Sequence, residues 1–149
     1  MKVRLQVKKE NEIKYKEMLE KGGFEISDNA DLVLEETGGK IEYLIAKDNQ
    51  NKTVLVYLEE IVLIETYGKE ILLHTKEQGY SLKGTIESLS FQLSVYGFKR
   101  ISQSSIIHKR SIIKISPVLS MKFMLTLKNK MKVDVTRSYY YDFKEYIGL

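Results

Sequence analysis

The sequence predicts an α+β fold, mainly β, in two parts. A small β-α-β-β unit is expected over residues 1–47, and a mostly antiparallel β domain with short helices over residues 48–149. Three observations lead there. Short runs rich in β-branched and aromatic residues recur from Thr53 onward, separated by turn residues. Only two stretches of that region carry helical periodicity. The polar run Lys47-Asp48-Asn49-Gln50-Asn51-Lys52 is the best boundary between it and an N-terminal stretch that reads strand, helix, strand, strand, though the run suits a long hairpin turn equally well.

Taken in order, Val3, Leu5 and Val7 alternate with Lys2, Arg4, Gln6 and Lys8, the period-two pattern of a half-buried strand. The run ENEIKYKEMLEK consists of good helix formers, with Ile13, Tyr15, Met18 and Leu19 toward one side, and Gly22-Gly23 ends it. Strands over 31–35 and 41–47 follow, joined by Thr37-Gly38-Gly39-Lys40 as a hairpin turn. Three strands and one helix are marginal alone, and the Val3-Leu5-Val7 strand is expected to leave an open sheet edge, through which this unit is expected to drive homodimerisation without touching DNA, a sensing or docking surface being the alternative. Beyond the polar run, strands are expected over 53–57, 61–67, 71–75, 80–83, 98–102, 111–115, 121–127 and 131–136. Thr85 is a natural cap for a short helix in which Ile86, Leu89 and Leu93 share a face. Tyr139, Tyr140, Phe143, Tyr146 and Ile147 define a last amphipathic helix.

Composition narrows the class. With 149 residues, 43% of them hydrophobic, the chain can bury a real core. It has no cysteine, which removes disulfides and thiolate metal sites. Its first residues, MKVRLQVKKENE, lack the apolar core of a signal peptide, and no stretch approaches the roughly 18 apolar residues of a membrane span. A soluble, cytoplasmic protein is expected. Catalytic chemistry is not. The two histidines, His74 and His108, lack metal-ligand spacing, Gly38-Gly39-Lys40 is followed by Ile41 and forms no phosphate loop, and no serine sits in a nucleophile elbow. The sequence therefore implies no enzyme, no cofactor, no metal and no small-molecule substrate.

Charge points to a partner. Between Phe98 and Ser138 lie Lys99, Arg100, Lys109, Arg110, Lys114, Lys122, Lys128, Lys130, Lys132 and Arg137 against the single acid Asp134. Residues 1–97 carry the opposite balance, 13 bases against 17 acids. A basic third on a mildly acidic remainder sets up the field that attracts nucleic-acid phosphates. Because these bases fall on strands and turns, a helix-turn-helix reader is excluded, and DNA contact would come from loops between strands.

An ordered series of landmarks resembles the LytTR-type DNA-binding domain of bacterial response regulators. An apolar strand ends in Ile64-Glu65-Thr66-Tyr67-Gly68, and Ile71-Leu72-Leu73-His74-Thr75 continues the hairpin. Thr85-Ile86-Glu87-Ser88-Leu89 opens the short helix. Phe98-x-Arg100-Ile101-x-x-Ser104, Ile106-Ile107-His108, Ile112-x-x-Ile115 and Val135-Thr136-Arg137-Ser138-Tyr139 complete the series over about residues 52–147. The resemblance implies β-strands carrying loops that enter successive major grooves. By position, Arg137 matches the family's base-reading arginine, with Ser138 beside it. Gln103, flanked by Ser102 and Ser104, matches a polar loop residue, and the 67–71 turn matches the first recognition loop with Lys69 and Glu70 at its tip. His108 stands where the family usually has asparagine. The 47 preceding residues are too few for a receiver domain, so the chain resembles the stand-alone variety, whose members often lack a receiver and in some cases are encoded beside a small membrane protein.

An arginine donates two hydrogen bonds to guanine O6 and N7, which suits Arg137 to base reading; the bland role is a salt bridge to Asp134 or Asp142. Gln103 suits an adenine edge or a phosphate, and its serine-rich surroundings equally suit a turn that caps its own backbone. Lys99, Lys109 and Arg110 suit phosphate contacts or are merely solvated, and Arg100 is a further DNA-binding candidate. His108 suits phosphate when protonated, although a lone turn histidine is more often a plain hydrogen-bonding residue; His74 is expected to be structural. The expected partner is double-stranded DNA, bound by a homodimer. The alternatives are an RNA or single-strand binder, for which Phe123 is the one stacking candidate on the basic strands, and a protein-interaction module with a basic face.

Overall fold

In a computed structural model that describes residues 1–36 and 40–149, the N-terminal alternation becomes β1 (Lys2–Gln6). A helical turn over Lys9–Asn11 leads into α1 (Glu12–Lys21), followed by β2 (Glu25–Ile26) and β3 (Leu32–Glu35). Gly23 at φ +83 supplies the left-handed step that ends the helix. Sheet order is β2-β1-β3 with both pairings parallel. The Val3-Leu5-Val7 strand is thus central and paired on both sides, not the open edge expected of it. The helix returns the chain parallel to β1 as β2, and the short link at 27–31 then carries it to the other flank as β3. Tyr15 and Leu19 are half-buried, but Ile13 and Met18 are exposed, so α1 buries a narrower face than its sequence predicts. The Glu36 carboxylate accepts from the Lys8 amide (2.9 Å) and from Asn11 Nδ2 (2.7 Å), tying the end of β3 to the start of the helix. Three residues of the expected turn, Thr37, Gly38 and Gly39, lie outside the described residues.

The chain divides into two compact units, Met1–Ile41 and Glu42–Leu149. The strand at the end of the expected N-terminal unit, β4 (Tyr43–Lys47), belongs to the second one. It pairs with β5 (Thr53–Tyr57) through the turn at Asp48–Asn51, where Asn51 adopts φ +61 and the Asp48 carboxylate accepts from the Gln50 and Lys52 amides. The polar run is therefore a hairpin turn and not a boundary between units. Period-two patterning places residues 43–47 in a strand, but it carries no information on which sheet takes that strand.

The second unit continues with β6 (Leu63–Tyr67), β7 (Glu70–His74), β8 (Gly79–Leu82), α2 (Ile86–Ser94), β9 (Phe98–Arg100) and β10 (Ser105–His108). Seven strands form one antiparallel sheet in the order β5-β4-β8-β7-β6-β10-β9. The Thr85 hydroxyl accepts from the Ser88 amide at 3.1 Å and caps α2, whose Ile86, Leu89 and Leu93 are buried as their spacing predicts. A second, three-stranded sheet consists of β11 (Ile112–Val118), β12 (Lys122–Leu127) and β13 (Lys132–Val135), and the chain ends in α3 (Tyr140–Ile147).

Leu63, Ile101, Ile107, Phe123, Leu125, Leu127, Val135 and Phe143 form the main core of this unit. It lies between β6 and β10 of the large sheet and the small sheet with α3. Tyr139, Tyr140, Tyr146 and Ile147 pack against it, as the last helix's periodicity predicts, while Tyr141 is exposed. Each fully buried aliphatic side chain here stabilises the fold by about 1.5–3 kcal/mol relative to exposure.

Candidate nucleic-acid interface

Three connections at one end of β6, β10 and β13 are bound together by backbone hydrogen bonds. The β6–β7 hairpin closes over Gly68 and Lys69, with Gly68 at φ +62 in the first central position, where a primed turn favours glycine. The Thr66 amide donates to the Ser104 carbonyl at 2.9 Å, joining this hairpin to the β9–β10 loop. The Thr136 amide donates to the Ile101 carbonyl at 3.1 Å, joining the segment after β13 to the same loop. Between them lies a shallow groove lined by Glu65, Ser104, Lys132, Asp134 and Thr136 among others.

Arg100 shapes the central loop from within. Its Nε donates to the Ser102 carbonyl at 3.1 Å and its Nη2 to the Gln103 carbonyl at 2.7 Å. The guanidinium also lies 3.5 Å from Glu87 and 6.0 Å from the Tyr139 ring centre. A planar fork committed on several sides has few donors left for phosphate. The serines look inward too, because Ser102 is buried and its Oγ accepts from the Ser104 amide at 3.2 Å. The loop thereby caps its own backbone and leaves Gln103 exposed at its tip.

Arg137 opens a short helical turn over Arg137–Tyr139, with Ser138 beside it, and both side chains are exposed. Among the described residues no acid pairs with Arg137, so the salt bridges to Asp134 or Asp142 weighed above do not form. Lys69 and Glu70 are exposed at the hairpin tip. Tyr67, the first residue of the 67–71 turn, stands exposed next to them. Sequence reasoning missed Lys132 and Asp134 as lining, because only tertiary packing brings β13 to this end.

The remaining candidates occupy the other end of β10, roughly 10 Å away by strand rise. His108 Nδ1 accepts from the Arg110 amide at 3.1 Å, while Nε2 faces the Tyr96 carbonyl at 3.1 Å. One nitrogen accepting and the other donating defines the neutral ring. Burial first, and then the Arg110 charge, hold the His108 pKa below its ordinary 6.5. Arg110 points inward as well. It donates to the Leu58 carbonyl and lies 5.6 Å from the Phe98 ring centre. Tyr146 Oη donates to the Gly97 carbonyl at 2.6 Å and accepts from the Lys109 amide at 2.7 Å, which fixes this turn to α3; burial raises its pKa. Lys109 stays exposed, with its Nζ 5.5 Å from the Tyr146 ring centre, and Lys99 is half-exposed, so both present charge to solvent at this end. His74 is structural as expected, its Nε2 lying 2.9 Å from Glu65 Oε1.

The depressed His108 pKa has a signed consequence for stability. The unfolded chain binds the proton more readily than the folded one, so stability is complete above about pH 6.5 and declines as pH falls toward the folded-state value. Urea unfolding from about pH 7.5 to about pH 5.5 should show this decline in the wild type and a shallower one in His108→Gln. Equal slopes would mean that the ring's protonation is not coupled to folding.

A β scaffold that gathers exposed polar and basic side chains on loops at strand ends, with no helix offered for insertion, defines a loop-presenting β-domain protein. Residues 51–148 match the LytTr DNA-binding domain, and the chain belongs to that family. It is 29% identical over 138 residues to the sensory transduction protein LytT of Enterococcus faecalis, a match that covers 93% of this chain and 57% of that protein. It is 25% identical over 121 residues to the transcriptional regulatory protein LytR of Staphylococcus aureus, covering 81% of this chain and 49% of that one. The chain thus spans about half the length of these relatives. The solved LytTr DNA-binding domain of a Bacillus cereus response regulator superposes with a TM-score of 0.69 at 22% identity, covering 74% of this chain and all of that one, which establishes the shared fold. No helix among the described residues is long and apolar enough to cross a membrane.

Proposed function

We propose that the chain is a transcriptional regulator that binds duplex DNA sequence-specifically, with its inter-strand loops in the major groove. One observation carries this reading within a DNA-binding family: Arg137 and Gln103 are both exposed, and the backbone bond from Thr136 to Ile101 ties their loops together. In the proposed roles, Arg137 reads a guanine edge, Gln103 a second base, and Lys69, Glu70 and Ser138 flank them. Lys99 and Lys109 meet phosphate, while Arg100, His108, Arg110, Ser102 and Ser104 hold the loops in shape. Phe123 is buried and stacked on Tyr140 at 4.8 Å, which deprives the single-strand or RNA reading of its aromatic platform. We further propose a cytoplasmic homodimer that pairs two half-sites. With β3 along one flank of β1 and β2 covering Lys2 and Val3 on the other, a sensing or docking role suits the first unit better than dimerisation through that strand. A small membrane protein is the proposed partner there.

The test is Arg137→Ala. It should weaken binding to the operator by about 1–3 kcal/mol and relax preference at one base position, without changing the melting temperature. Unchanged operator affinity would remove Arg137 from the readout. Salt dependence separates the two neighbouring cations after β10. Lys109→Ala should lower the log–log salt slope by about 0.9, whereas Arg110→Lys should leave it in place because that side chain turns inward. The reverse pattern would exchange their roles.

A further inference from the structure

The outermost strand of the large sheet, β5, is open along one side. Its bonded rungs to β4 fall at the even-numbered residues, because Leu58 donates to the Glu42 carbonyl and Asp48 to the Lys52 carbonyl, both at 3.0 Å. Thr53, Leu55 and Tyr57 therefore turn their backbone groups outward. The Tyr57 amide is met by Glu60 Oε2 at 3.3 Å, while among the described residues nothing accepts from the Thr53 and Leu55 amides. The strand TVLVY has no charge, proline, glycine or bulge, the devices by which edges are normally protected.

Its outer face is apolar as well. Tyr43 and Tyr57 meet edge-to-face at 5.7 Å, and Ile45 lies opposite Leu55. These four side chains are 40%, 44%, 65% and 49% exposed for Tyr43, Tyr57, Ile45 and Leu55 respectively. Val54-Leu55-Val56 reads the same in both directions, so the edge is complementary to itself about Leu55.

We propose that two copies of this chain pair antiparallel along β5, about a two-fold axis through Leu55, and join their large sheets into one. Leu55 exchanges both backbone bonds with Leu55 of the second copy, and Thr53 lies opposite Tyr57 on each side of it. The apolar stripe then runs unbroken from Ile45 and Leu55 of one copy to Leu55 and Ile45 of the other. A second copy is the favoured occupant because the palindromic register sets the outward Thr53 and Leu55 amides opposite the Tyr57 and Leu55 carbonyls of the other copy, the Tyr57 amide keeping its bond to Glu60, and because no charge is brought opposite a like charge. This seam gives the homodimer proposed above its location and does not depend on the DNA contacts.

The experiment is sedimentation of the full chain without DNA, combined with amide exchange. The wild type should be a dimer that dissociates on dilution, and the Thr53 and Leu55 amides should become protected as concentration rises. Leu55→Lys and Leu55→Glu should each give a monomer with unchanged circular dichroism, since the side chain is half in solvent. Mixing the two variants should restore a one-to-one dimer, because opposite charges then face each other across the axis. A Leu55→Lys chain that still dimerises, or a dimer whose Leu55 amide exchanges freely, would overturn the seam and leave the homodimer standing. A wild type that stays monomeric well above the micromolar range would overturn both. A wild type that dimerises but retards no duplex DNA would support the seam while overturning the DNA-binding reading.

Discussion

A chain that begins at Asn51 is expected to unfold far more easily than one that begins at Glu42. The first lacks β4, which lies between β5 and β8 in the seven-stranded sheet. Its loss removes the buried Leu44 and Ala46, uncovers Val56 and leaves β5 without a partner strand. Large-to-small core changes alone cost about 2–5 kcal/mol, so loss of a whole inner strand should cost about 5 kcal/mol or more. That is comparable with the total stability of a small domain, about 5–15 kcal/mol. Urea titrations of the two chains measure the difference. Coincident midpoints would show that β4 and β5 are an appendage and not part of the cooperative fold.

Gly97→Ala is expected to destabilise the fold by about 2–4 kcal/mol. Gly97 has φ +88, a conformation that costs an L-residue about 1–2 kcal/mol. A methyl group there would also sit 2.7 Å from His108 Nε2. The ring cannot move aside cheaply, since hydrogen bonds to Tyr96 and Arg110 hold it and it lies edge-on to Phe98 at 5.0 Å. The steric part of the effect is separable. In a His108→Ala background the same substitution should cost only its backbone strain, and the double-mutant cycle should show coupling of about 1 kcal/mol or more. Additive effects would assign the whole loss to the dihedral angle.

Local periodicity made most elements legible. The strand pattern at 53–57, the Thr85-capped helix and the tyrosine-rich last helix follow from rules acting within about ten residues. One strand of the interface did not follow. Ser105–His108 is three-quarters buried and short, and a serine-flanked isoleucine pair carries no alternation to read. For the candidate site, exposure at Gln103 and Arg137 agrees with the landmarks that singled them out. The sense of Arg100 and Arg110 was not legible, because an arginine's charge is the same whether it faces solvent or a carbonyl.

By itself the sequence determined the mainly β class, the basic third and the identity of the loops, because side-chain chemistry and short-range pattern act along the chain. Tertiary structure decided which sheet receives residues 43–47, that β1 is central, and which cations present their charge to solvent. These outcomes depend on contacts between residues distant in sequence, such as Thr66 with Ser104, Tyr146 with Gly97 and Arg110 with Leu58. Backbone donors left at strand ends must find acceptors wherever packing brings them, and no local pattern encodes that choice.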